Sequence, residues 1–118
     1  MTSTATPFDH IMIDLETMGT GPDAAILQIG AVAFQGPLIA QEFASLENTP
    51  SAPLFHLHVN LQSCLDAGLR MDASTVLWWL TQDADARNAA AFSGRGAAPI
   101  EEALLRLADF VRQHSDPK

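Results

Sequence analysis

The fold is decided by the stretch HIMIDLETMG, residues 10–19, near the start of a chain of 118 residues. Its first part is a short apolar run that ends in two carboxylates, Asp14 and Glu16. Apolar side chains on both faces of such a run are typical of a strand with neighbours on both sides in a sheet. We therefore expect a first strand over His10–Glu16, followed by a turn at residues 18–23, where glycine and proline are frequent.

Strand patterns come first along the chain and helix patterns follow. Strands are predicted for residues 25–34 and, as a half-buried strand, for residues 54–61. Helices are predicted for residues 73–82 after an N-cap at Asp72, for residues 83–92, and from Pro99 to His114. The expected core faces of the first and last helices comprise Val76, Trp79 and Leu80, and Ile100, Ala103, Leu104, Leu107 and Val111. This order indicates a single α/β domain with α+β element order.

Charge is unevenly distributed along the chain. There are 14 acidic and 6 basic residues, for a formal net charge of −8. Residues 1–69 hold seven carboxylates and no Lys or Arg, so the excess negative charge lies in this part. That distribution argues against a basic patch for phosphate backbones or anionic membranes. Carboxylates that meet in this part must be neutralised by a cation from outside it.

The remaining composition is that of a globular protein, with 47% apolar and 17% charged residues. The single cysteine, Cys64, excludes an internal disulfide and fits a reducing compartment or a small buried side chain. No apolar run approaches the ~20 residues that cross a bilayer, and residues 1–7 lack the features of a signal peptide. We interpret residues 1–8 as a disordered lead, residues 9–118 as the domain, and the protein as cytoplasmic.

Asp14 and Glu16 are the strongest candidates for chemistry. Side chains two residues apart in a strand project from the same face, and no nearby Lys or Arg offsets this pair. Carboxylate oxygens suit Mg²⁺ or Mn²⁺, which also bind phosphate oxygens. For an isolated D-x-E pattern, the start of a solvated loop is the commoner outcome, and the surrounding sequence must decide between the two interpretations.

Other candidates are weaker. His56 and His58 share a strand face, but without a third ligand a solvated polar face is favoured. Trp78 and Trp79 offer a stacking surface for bases, although helical spacing favours a core position for Trp79. Three arginines are interpreted as ordinary surface cations and Cys64 as a structural residue; the arginines are Arg70, Arg87 and Arg95.

Two segments place Asp14 and Glu16 in a longer pattern: IMIDLETMG at residues 11–19 and ILQIGAV at residues 26–32. Together they resemble the first motif of the DEDD (DnaQ-like) 3′–5′ exonucleases. The later segments LQS at residues 61–63 and DASTVLWWL at residues 72–80 look most like the exonuclease VIII-like and exoribonuclease subgroup. The resemblance runs from about His10 to about Val111.

The resemblance implies a ribonuclease H-like fold, a mixed sheet whose first three strands are antiparallel with helices on both faces. It implies that Asp14 and Glu16 are catalytic and are the first two of four acidic ligands to two divalent ions, Mg²⁺ or Mn²⁺. Leu15, Thr17 and Met18 would hold the terminal nucleotide. The implied reaction is hydrolysis of the terminal phosphodiester at the 3′ end of RNA or single-stranded DNA.

The chain also departs from the family pattern. The third acidic ligand of that family lies on an N-x-x-x-F-D segment and the fourth lies beyond it, and neither Asp109 nor Asp116 fits these motifs. We therefore expect the N-terminal portion of the fold, with later strands missing and half of the metal site present, so that the chain alone is inactive. Without its fourth-strand neighbour the first strand becomes an edge, which favours pairing with a second copy or a partner chain.

Two other interpretations remain open. The chain is also compatible with a non-catalytic truncated or association module of the same fold, which would not depend on Asp14 or Glu16. An unrelated metal-dependent phosphoesterase that uses the same acidic strand end is the third alternative.

Overall fold

The computed structural model describes Phe8 and residues 10–34, 53–92 and 97–115. Three strands come first: β1 (His10–Thr17), β2 (Ile26–Phe34) and β3 (Leu54–His58). The helices follow as α1 (Leu61–Asp66), α2 (Ala73–Leu80), α3 (Ala84–Arg87), a short π-helix (Asn88–Phe92) and α4 (Ile100–His114). This order confirms the expected α/β class, with antiparallel strands before helices.

The strands form one antiparallel sheet in the order β1-β2-β3. Among the described residues β1 pairs only with β2, so neighbours on both sides of β1 are not found there. Ile13 and Leu15 are consequently 46% and 43% exposed. Within the described part of the chain β1 is thus the edge strand expected for the N-terminal portion of this fold.

The two faces of the sheet differ in character. One face packs against α4, where Phe110 contacts Ala31 and Ala33, and Ile100 joins the core around Ile29. The strand register identifies the residues on the opposite face. They lie side by side across the strands in two rows, the first formed by Asp14, Gly30 and His56 and the second by Glu16, Gln28 and His58. The π-helix reaches this second face, where His58 Nε2 donates a hydrogen bond of 2.9 Å to the carbonyl oxygen of Ala89.

The third strand ends earlier than predicted. It stops at His58, because Asn60 caps a helix that begins at Leu61. The Asn60 side chain accepts a hydrogen bond of 2.9 Å from the Ser63 backbone N–H, which is the usual role of asparagine at this position. The predicted strand over residues 54–61 was therefore wrong at its end, and α1 was not predicted.

Two predicted core positions are also wrong. Leu104 is 48% exposed and Leu80 is 62% exposed, whereas Phe110, which was not predicted, is only 7% exposed. Phe110 is buried because its ring lies 5.6 Å from that of Phe55 on the sheet. Of the predicted lead, residues 1–7 lie outside the described residues, while Phe8 packs against the Phe110 cluster. Arg95, which was interpreted as a surface cation, also lies outside them.

Candidate active site

Asp14 and Glu16 lie on the same face of β1, two residues apart along the strand. Asp14 is exposed and Glu16 is half-buried. Burial raises the pKa of Glu16 above 4.5, and the neighbouring charge of Asp14 raises it further. The free energy of bringing these two charges together is therefore unfavourable until a cation binds, and carboxylate oxygens are the donors that Mg²⁺ and Mn²⁺ prefer.

No third potential metal-binding side chain joins this pair in the described part of the chain. Within residues 10–34, 53–92 and 97–115, no group of three His, Cys, Asp or Glu side chains could hold a metal ion. The pair thus fits part of a divalent-cation site by the chemistry of its donors.

A β-bulge lies directly after the carboxylates. Glu16 pairs with Gln28, but Thr17 pairs with Ile26, so Leu27 is an extra residue on β2. Leu27 is buried, and its carbonyl oxygen accepts a hydrogen bond of 2.9 Å from the Val59 backbone N–H. Bulges of this kind bend a strand and end its regular pairing, which here happens one residue after Glu16.

The turn after β1 is held by α2. Trp79 Nε1 donates a hydrogen bond of 2.9 Å to the Thr17 carbonyl oxygen. The Asp72 backbone N–H donates to the Met18 carbonyl oxygen at 2.8 Å, and Asp72 Oδ2 accepts from the Thr20 backbone N–H at 3.1 Å. Asp72 is the N-cap residue of α2, as predicted, but its side chain binds the turn instead of capping the helix.

Gly19 is buried next to the contact between the Asp72 side chain and the turn. A Cβ atom at this position would be 3.0 Å from Asp72 Oδ2 and 3.1 Å from the Cβ of Ala24. Both distances are shorter than ordinary contacts, so the close approach of the turn to α2 requires glycine here.

A cavity of about 360 Å³ opens beside Glu16, between the end of β1 and α2; we call it the Trp78 cavity. Leu15 and Thr17, two of the predicted substrate-binding residues, line it. Met18, the third, does not line it: its side chain packs against the core around Ile29.

Four residues of α2 line the Trp78 cavity: Ser74, Thr75, Trp78 and Trp79. Trp78 is 53% exposed, and its ring lies 4.9 Å from that of Trp79 in an edge-to-face arrangement. Sequence analysis suggested the tryptophans as a stacking surface but missed the two hydroxyls. The pattern S-T-x-x-W at one turn's spacing was the available signal, because residues three and four apart share a helix face.

The remaining candidates occupy structural positions. His56 Nε2 hydrogen-bonds with Gln28 Oε1 at 3.1 Å, and the rings of His56 and His58 lie 5.0 Å apart. They form a polar strand face, as predicted. Cys64 is fully buried and its thiol donates to the Ile26 carbonyl oxygen at 3.5 Å, which agrees with a structural role.

Comparison with known proteins identifies a family and a relative that this chain resembles. The family model of the Rv2179c-like 3′–5′ exoribonuclease domain matches residues 9–118. The chain is also 31% identical over 113 residues to the exodeoxyribonuclease of Enterobacteria phage T4, an alignment that covers 93% of this chain and 46% of that protein. The chain therefore spans about half the length of this relative. No helix among the described residues is long and apolar enough to cross a membrane.

Proposed function

The chain belongs to the Rv2179c-like 3′–5′ exoribonuclease domain family, and from this membership we propose that it supplies the first half of a metal-dependent 3′–5′ exonuclease site. One observation carries the proposal: Asp14 and Glu16 share a strand face, and the Trp78 cavity opens directly beside Glu16. Metal ligands next to a nucleoside-sized cavity are what hydrolysis of a terminal phosphodiester requires.

The proposed roles follow from the positions of the residues. Asp14 and Glu16 hold divalent cations, Mg²⁺ or Mn²⁺, two of which are expected in a complete site. Such cations, when bound, lower the pKa of water and stabilise charge on a leaving oxygen. Leu15 and Thr17 border the last nucleoside, and the exposed ring of Trp78 stacks on its base. The hydroxyls of Ser74 and Thr75 are hydrogen-bonding groups for its polar atoms.

We further propose that the 118-residue polypeptide is inactive alone. Two carboxylates leave most coordination positions of two hard cations to water, and the described residues contain no third ligand near them. The remaining acidic groups would come from outside the described residues; the chain matches only 46% of the T4 protein.

The substrate is proposed to be a 3′ end of RNA or single-stranded DNA. The family is described as an exoribonuclease domain and the phage relative as an exodeoxyribonuclease, so both nucleic acids belong in the test. We also propose that the protein acts in the cytoplasm, for which the free, buried thiol of Cys64 is the supporting observation.

Mn²⁺ binding and activity test the proposal separately. Mn²⁺ should broaden NMR signals around Asp14 in the wild-type chain, and Asp14→Ala should abolish the broadening. Glu101→Ala should not, because Glu101 is an exposed residue of α4, which packs against the opposite face of the sheet. Degradation of 3′-labelled RNA and single-stranded DNA should be absent. Robust turnover that Asp14→Ala abolishes would show that the site is complete. Absence of Mn²⁺ binding would favour a non-catalytic module.

A second function, that of an association module, is favoured by one observation. The outer edge of β1 has no partner strand among the described residues, and Ile13 and Leu15 beside it are substantially exposed. Such an edge pairs readily with another strand. We propose that a second copy or a partner chain adds to the sheet at β1.

A further inference from the structure

The distance between the end of β1 and α2 sets the width of the Trp78 cavity, because residues on both sides line it. None of the eight residues of α2 is buried, so apolar packing contributes little to holding this distance. Hydrogen bonds to the turn after β1 must hold it instead. The turn side of the cavity is formed by residues 17–20, of which Thr17, Gly19 and Thr20 belong to the lining; we call residues 17–20 the wall segment.

A side-chain hydrogen bond reaches the wall segment at each of its ends. Trp79 Nε1 donates to the Thr17 carbonyl oxygen at 2.9 Å, and Asp72 Oδ2 accepts from the Thr20 backbone N–H at 3.1 Å. Within the segment, Thr17 Oγ1 donates to the Gly19 carbonyl oxygen at 2.7 Å. The wall segment therefore has its hydrogen bonds in place without a ligand, and a preorganised site loses less conformational entropy when a ligand binds.

The carboxylate of Asp72 contacts the turn instead of its own helix. An aspartate N-cap ordinarily accepts from a backbone N–H in the first turn of the helix that follows, as Asp83 accepts from Ala86 at 2.8 Å in α3. Asp72 has the extended backbone of an N-cap, with φ −94° and ψ 132°, but its side chain makes no capping bond to α2. The stability of α2 alone would favour the cap, so the bond to Thr20 is best explained by the position that it gives the wall segment.

We propose that Asp72 is a positioning residue, whose carboxylate holds Thr20 and thereby keeps the wall segment at the distance from α2 at which the Trp78 cavity accepts a nucleoside. This inference rests on the proposed function, in which the last nucleoside occupies that cavity. Asp72 does not belong to the lining of the cavity, so it acts through the backbone of the wall segment. The bond requires an acceptor oxygen of the right reach and does not require a negative charge.

Binding of adenosine 5′-monophosphate to the 118-residue chain, followed by NMR titration with Mg²⁺ present, tests this role. Asp72→Ser should weaken binding about tenfold. Serine caps a helix about as well as aspartate does, but its side chain is too short to hold Thr20, so the nucleotide must order the wall segment as it binds. Asp72→Asn keeps a side-chain oxygen of the same reach and should bind the nucleotide as the wild type does.

Asp83→Ser is the matched control, because it makes the same substitution at an N-cap whose side chain bonds to its own helix. It should change neither the affinity for the nucleotide nor the amide shift of Thr20. Urea denaturation of the same variants distinguishes positioning from stability, since a merely structural role would lower the free energy of unfolding of Asp72→Ser and leave the affinity of the folded chain unchanged. If Asp72→Ser does not fold, Asp72→Glu decides: its longer side chain retains an acceptor but holds Thr20 farther from α2, and binding should again weaken.

The outcomes separate this inference from the proposed function. Wild-type affinity in the folded Asp72→Ser variant, or an equal loss of affinity in Asp72→Asn or Asp83→Ser, would overturn the positioning role and leave the proposed function standing. Failure of the wild-type chain to bind adenosine 5′-monophosphate would overturn the proposed function together with the inference that rests on it.

Discussion

Trp79 Nε1 donates a hydrogen bond of 2.9 Å to the carbonyl oxygen of Thr17, the residue that follows Glu16. Trp79→Phe keeps an aromatic ring but removes the donor, so the half-buried Thr17 carbonyl loses its partner. We expect a loss of about 1 kcal/mol in the free energy of unfolding, measured by urea denaturation. Trp78→Phe, at an exposed ring outside this bond, should change it little. Equal losses in both variants would contradict the role given to Trp79.

Gly19→Ala should be destabilising because the added methyl group meets Asp72 Oδ2 at 3.0 Å and Ala24 Cβ at 3.1 Å. We expect a loss of about 1–3 kcal/mol, as for other overpacked sites, together with a change in the amide shift of Thr20, which donates to Asp72. Gly21→Ala is the control, since its methyl group would meet only the exposed Asp23 side chain, at 3.2 Å. If Gly19→Ala left the free energy of unfolding unchanged, the turn would tolerate a greater distance from α2.

The raised pKa of Glu16 predicts a pH dependence of stability. Its cause is burial first and the charge of Asp14 second. At a pH well below 4.5 the carboxyl is protonated in the folded and unfolded states alike, so it does not lower the free energy of unfolding. As pH rises through 4.5 and then through the raised value, ionisation favours the unfolded state and stability is lost. In EDTA, Glu16→Gln should therefore be more stable than wild type at neutral pH.

The measurement for Glu16 is the urea midpoint of both proteins across the acidic range. The stabilisation should vanish at low pH, where the wild-type carboxyl is neutral. Added Mn²⁺ should also reduce it, because the cation favours the ionised wild-type carboxylate. A difference between the proteins that does not change with pH would contradict the assignment.

Association through β1 should depend on its exposed apolar residues. Ile13→Lys places a charge beside the unpaired edge, which is a common way in which proteins prevent edge pairing. In light scattering, we expect the average molar mass of the wild-type protein to rise with concentration. The Ile13→Lys variant should keep the molar mass of a monomer. Leu105→Lys is the control, since Leu105 is 66% exposed on α4. A wild-type chain that remains monomeric at high concentration would exclude self-association through β1.

The sequence predicted the strands well because their apolar patterns are local. β1 and β2 were placed within about one residue of their observed ends, and the alternation in β3 was recognised. The end of β3 was missed because Val59 and Leu61 continue the apolar alternation, whereas the Asn60 cap starts a helix there. The cap is a local hydrogen bond between the Asn60 side chain and the Ser63 backbone N–H, and hydrophobic periodicity does not report such a bond.

The carboxylate pair was predictable, and its supporting contacts were not. Asp14 and Glu16 share a face by the elementary geometry of a strand. The role of Asp72 depends on how close the turn comes to α2, and an N-cap pattern alone points only to the helix. Likewise, the extra residue at Leu27 follows from the register between two strands, which no single segment determines.

The hydrogen bond from Trp79 to Thr17 also has a consequence for the order of events during synthesis. It joins residues 62 positions apart, so the end of β1 gains this support only after the ribosome has released residue 79. Before that point the strands β1, β2 and β3 are already available to pair, but the turn after β1 lacks its contact with α2. Asp14 and Glu16 are thus synthesised early, but the end of β1 on which they lie is held in place by α2 only later. A nascent chain acquires its defined acidic end only when α2 folds against it.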